Sequence, residues 1–134
     1  MQQYEKYAIN LRKNDLVEIE GKWYQAIDIR NDKLGGPHKN VHMHARSIHD
    51  NAKIRRDFYD YDCVQLMAVK QRDDIQWVGK KDDTEVFALD EDGHELIIDA
   101  TVEVDETNVV FISNNGHLLA LNSKFIPQDK PINF

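Results

Sequence analysis

From Leu11 to Arg30 the chain alternates apolar and polar residues on both sides of Glu20-Gly21. A period of two sends Val17 and Ile19 to one face of a strand and Glu18 and Glu20 to the other. Gly21 supplies the backbone freedom that a tight reversal needs. The pattern predicts a β-hairpin, then the loop Lys33-Leu-Gly-Gly-Pro-His-Lys39, then a returning strand from Val41 to Arg46. A hairpin that carries a basic loop at its far end is built to reach something.

Downstream the same reading finds strands nearly everywhere. They fall at 63–69, 74–78, 85–89, 96–98, 101–104, 109–112 and 118–121, with turn signals at Asp92-Gly93 and at Asn114-Asn115-Gly116. Ser47 to Asp57 is the best helix candidate, yet it has too few apolar residues at three and four spacing. Pro127 and Pro131 mark an extended tail. Short strands parted by such turns predict an all-β chain of small barrels or a sandwich, with at most one short helix.

Charge divides this pattern. Residues 1–66 hold 11 Lys or Arg against 10 Asp or Glu and four of the six histidines, whereas residues 67–134 hold 6 against 14. The near-neutral first half can meet nucleic acid through its basic clusters, and the acidic second half would be repelled by phosphate. The charge character changes between Asp60 and Leu66, which places the joint there. No apolar run reaches membrane-spanning length, the first residues are too polar for a secretory signal, and the lone Cys63 can form no internal disulfide. The expectation is a cytoplasmic protein with no membrane partner. At 134 residues it has room for one ordinary domain or two very small ones.

Several stretches resemble elongation factor P and its archaeal and eukaryotic counterpart, initiation factor 5A. Leu11-Arg-Lys-Asn-Asp15 and Gly21-Lys-Trp-Tyr24 match the opening of that family's first domain, and Lys33-Leu-Gly-Gly-Pro37 occupies its loop. Phe58 and Val64 sit at the family's separation. The stretches from Ile75, Glu85 and Glu95 are similar to the opening strands of its second domain, and those from Val110 and Leu118 to its closing strands. The resemblance spans roughly residues 10–126. It implies an SH3-like (KOW-like) barrel over 1–65, followed by an acidic OB-type barrel over 66–134 with the extended tail. The third barrel that the bacterial members carry is not expected here, so the two-domain archaeal and eukaryotic form is the nearer likeness.

The resemblance further implies a ribosome-associated factor, not an enzyme and without a cofactor, that contacts tRNA or rRNA. Lys33, Gly35, Gly36, His38 and Lys39 would make the loop contacts, and Arg46, Arg55 and Arg56 would add phosphate contacts. One departure stands out. In the gapless register Gly36 occupies the position of the family's modified lysine, with Pro37 after it. Modified-lysine chemistry is therefore not expected, although a slipped loop would present Lys39.

The residues also allow a different class of function. His42 and His44 lie two apart on a strand and share a face, as metal-ligand pairs do. Gly36, five intervening residues and then His-x-His match the start of a cupin motif, with His94 or His117 for a distant ligand. That reading is a cupin-like metal-binding β-barrel, an oxygenase or isomerase. A third is a structural protein that borrowed the translation fold. No nucleophile elbow, Walker loop or Cys-x-x-Cys pair occurs. Cys63, at the start of an apolar strand, reads as a core residue. Asp73-Asp74 and Asp82-Asp83 read as turn and loop residues. Arg55 and Arg56 with Phe58, Tyr59 and Tyr61 form either a base-stacking surface or a barrel rim whose rings face the core.

Overall fold

The computed structural model describes residues 4–32, 40–67, 70–114 and 116–126. The chain folds as two compact units that divide after Met67. Among the described residues there is no α-helix, only 3-10 turns at Ala8–Asn10 and Ser123–Phe125. Among these residues no helix is long and apolar enough to cross a membrane.

The first unit is one six-stranded sheet in the order β1-β6-β2-β3-β4-β5. Its strands are β1 (Tyr4–Tyr7), β2 (Leu16–Ile19), β3 (Lys22–Asp32), β4 (Asn40–Ser47), β5 (Lys53–Tyr59) and β6 (Cys63–Leu66). The β2–β3 reversal falls at Glu20 and Gly21, both left-handed with φ 52° and 81°. Two consecutive left-handed residues give the turn whose twist matches that of paired strands, so the hairpin closes without splaying. Alternation then fills the core. Val17, Val41, Met43 and Ala45 are fully buried, and Ile19, Tyr24 and Ile29 pack against them. At the start of the hairpin Asp15 is also buried, where its carboxylate accepts from the Lys6 ammonium at 3.0 Å and the Arg12 backbone N–H at 2.9 Å. Leu11 and Asp15 thus anchor this stretch to the core, while Arg12, Lys13 and Asn14 between them are exposed.

The second unit is also a six-stranded sheet, in the order β7-β11-β12-β10-β9-β8. Its strands are β7 (Lys70–Gln71), β8 (Gln76–Lys80), β9 (Glu85–Leu89), β10 (Glu95–Ala100), β11 (Val109–Asn114) and β12 (His117–Asn122). β8, β9 and β10 form a meander, β10 pairs in parallel with β12, and β11 returns to β7 just upstream of β8. With β7 and β8 as two halves of one strand, this is the strand order of an OB-type barrel. Val86, Ala88, Ile98, Ala100 and Ala120 fill its centre.

The strand Lys53–Tyr59 overlaps the stretch Ser47 to Asp57, whose apolar spacing is too sparse for a helix. Two local expectations are corrected. Residues 101–104 form a turn and no strand, with Glu103 at φ 60°. Cys63 is exposed, because β6 begins with its outward-facing residue beside Tyr7. The carboxylate pairs do occupy turns: Asp82 Oδ1, for example, accepts from the backbone N–H groups of Thr84 and Glu85.

Candidate nucleic-acid interface

The hairpin made by β3 and β4 runs from the Tyr24–Ser47 pair to Asp32–Asn40, with one register irregularity between Ala26 and Asp28. Because β4 buries Val41, Met43 and Ala45, its intervening residues His42, His44 and Arg46 point away from the core. Pairing brings Arg30 beside His42 on β3, and Asp57 and Arg55 beside His42 and His44 on β5. A polar surface of mixed charge therefore covers the outer side of the three strands.

His42 organises that surface. Its side chain is 12% exposed; Nε2 lies 2.5 Å from Asp32 Oδ2 and Nδ1 lies 2.7 Å from Asp57 Oδ1. A neutral imidazole has one N–H, so both contacts are donated bonds only when the ring is an imidazolium. The hydrogen bonds to Asp57 and then to Asp32 accordingly raise the His42 pKa above its ordinary value. The same bond to His42, reinforced by Arg55 at 3.3 Å, holds the Asp57 carboxyl below the usual range. One side chain thus ties β3 to β5 at the end of the hairpin. Sequence reasoning found His42 but not Asp32 or Asp57. Their partnership depends on the register of three strands, which no local motif announces.

The expected RNA-contacting residues divide. Lys33, Gly35, Gly36, His38 and Lys39 lie outside the described residues. Arg46 is half-buried on the outer face, and its guanidinium donates to Gln25 Oε1 at 3.2 Å. Arg55 shares that face, but Arg56, one residue on, faces the other way and pairs with Glu20 at 2.9 Å. The rings divide as well. Phe58 packs on the core, whereas Tyr59 and Tyr61 are each 57% exposed and stack on one another, 5.9 Å between centroids. Asn40, His42, Asp57, Phe58, Tyr59 and Asp62 line an open cavity of about 270 Å³ beside the clamp.

His42 and His44 do share a face, yet His42 offers no lone pair while both nitrogens donate to carboxylates. A metal would have to displace Asp32 or Asp57 and take the proton's place. Among the described residues the one group with ligand atoms close enough to hold an ion is Asp90, Asp92 and His94, in a turn of the second unit. There the Asp90 carboxylate already accepts from the backbone N–H groups of Asp92 and His94. His117, the other candidate for a distant ligand, pairs with Asp99 at 3.0 Å.

The two-barrel architecture has solved counterparts. A translation initiation factor eIF-5A family protein from Naegleria fowleri is 16% identical, with a TM-score of 0.62 over 90% of this chain and 96% of its own. Eukaryotic translation initiation factor 5A from Methanococcus jannaschii is 15% identical, with a TM-score of 0.67 over 90% of this chain and 93% of its own. No protein-family profile and no curated protein sequence matches the chain. At these identities the likeness is one of fold: both neighbours are two-barrel β proteins, as this chain is.

Proposed function

We propose that the protein is a ribosome-associated translation factor that contacts tRNA or rRNA through the 33–39 loop without modified-lysine chemistry. The observation that carries this reading is the likeness to two proteins named translation initiation factors, over nine-tenths or more of every chain compared. The hairpin supports it. β3 and β4 lead to the loop, and His42 fastens its end to β5. Lys33 and Lys39 supply charge for phosphate, Gly35 and Gly36 allow close backbone approach, and His38, Arg46 and Arg55 add flanking contacts, while Arg56 faces the other way and pairs with Glu20. The protein is no enzyme in this reading; it acts by occupancy, in the cytoplasm.

Gly36 in place of the family's modified lysine sets the limit of the activity. The test is a reconstituted translation reaction run beside tRNA and ribosome binding. Binding with weak or absent stimulation of proline-rich synthesis is expected. Strong stimulation with a modification found on Lys39 would restore modified-lysine chemistry. Absence of binding to both RNAs would leave the borrowed-fold reading standing.

A further inference from the structure

Outward positions of a small barrel are ordinarily polar, because only the inner face packs. Across three strands of the second unit that rule breaks. Phe87 on β9 pairs with Gly79 of β8 on one side and with Ile97 of β10 on the other. Val78, next to Gly79 at the register irregularity of β8, completes the row. Val78 is 52% exposed and Ile97 54%, and Leu89 extends the row along β9. The alternate residues Trp77, Val86, Ala88, Leu96 and Ile98 belong to the core. The row is therefore a second apolar face, separate from the packing that holds the barrel together. Contiguous apolar surface of this kind marks an interaction site.

Its border decides the kind of partner. Glu95 lies beyond the row on one edge, and Glu85 and Asp99 pair with each other on the opposite edge beside Lys80. Glu85 already engages Lys81 at 3.0 Å, and Asp99 engages His117 at 3.0 Å. Residues 67–134 hold 14 Asp or Glu against 6 Lys or Arg. β9 and β10 are the second and third strands of the barrel, the face on which OB folds take oligonucleotides. Such binding needs cations that track phosphates and several open rings for bases. Here one ring, Phe87, is half-buried, and carboxylates outnumber cations along the border. A second copy of this acidic unit would be repelled for the same reason.

We propose that the Val78–Phe87–Ile97 row docks a protein partner whose contacting surface carries apolar side chains bordered by Lys or Arg. The inference rests on the ribosome-associated reading, which supplies the setting of its test, and assigns the two units different partners: RNA for the first, protein for the second.

The experiment places the photo-cross-linker p-benzoylphenylalanine at position 97 of the full chain and irradiates its complex with purified ribosomes. Cross-links to a ribosomal protein are expected. A Val78→Ser, Ile97→Ser variant, altered only where the side chains are more than half exposed, should bind at least about tenfold more weakly. Its salt dependence should be unchanged, since no phosphate contact is lost. Cross-links to rRNA or to a second copy of the chain would overturn the proposal. So would wild-type affinity in the double variant without protein cross-links, a result that leaves the translation reading intact. Failure of the unaltered chain to bind ribosomes would instead remove that reading, and this inference with it.

Discussion

The hairpin stands or falls on which face of β4 is inward, and paired substitutions at neighbouring positions measure this. Met43 is fully buried at the centre of the first unit's core, while His44 is exposed. Truncating a buried methionine to alanine removes its transfer free energy and leaves a cavity, a loss of about 2–5 kcal/mol. A surface substitution without a structural partner changes stability by about 0.5 kcal/mol or less. Small domains are stable by about 5–15 kcal/mol in all, so Met43→Ala takes a large share. With a urea dependence of about 1 kcal/mol per molar for so small a unit, the midpoint should fall by about 2 M or more. Trp23 on β3 reports the first unit in urea titrations of the full chain, with Trp77→Phe in every variant to silence the second. His44→Ala should leave the midpoint nearly in place. Equal losses at the two positions would refute the register, because a one-residue slip exchanges the faces of a strand.

The clamp around His42 predicts a pH window. A raised His42 pKa stabilises the fold fully below the ordinary value of about 6.5, and this contribution disappears as pH rises through the raised value. The lowered Asp57 pKa acts at the other end: its contribution is present above about pH 4 and is lost as pH falls through the depressed value. An NMR titration of the His42 ring should show it deprotonating at higher pH than a free imidazole, and Asp57→Asn should move it down; titration at the ordinary value in both proteins would dismiss the clamp. Protein purified without an affinity tag should carry no stoichiometric transition metal by elemental analysis. About one equivalent of iron, zinc or manganese, lost on changing His42 and His44 to alanine, would revive the cupin-like reading.

Local pattern was a good guide wherever one face of a strand is buried and its turn is short. The β2–β3 hairpin, the turn at Glu20 and Gly21, and the strand Glu85–Leu89 were all legible for that reason. β5 was not, because Arg56 occupies an inward-alternating position between Ile54 and Phe58 and breaks the apolar rhythm. Residues 101–104 carry two valines and a threonine, the composition of a strand, but the left-handed Glu103 turns the chain. The candidate site was legible only residue by residue. His42 was visible as half of a His-x-His pair, whereas its carboxylates stand 10 positions before and 15 after it. Likewise Arg55 and Arg56 read as one basic cluster until strand geometry sends them to opposite faces.

The central claim is that the first unit meets RNA, and the salt dependence of ribosome co-sedimentation tests it most directly. Each cation on phosphate contributes about one to the slope of log affinity against log salt. Binding should be firm at low salt and should weaken steeply as salt is added. Lys33→Ala and Lys39→Ala should each lower the slope by about one. Of the flanking arginines, Arg55→Ala, on the outer face with His42 and Arg46, should also lower the slope, whereas Arg56→Ala, on the opposite face and paired with Glu20, should leave it unchanged. No binding at low salt, or a slope that all four substitutions leave unchanged, would contradict the account.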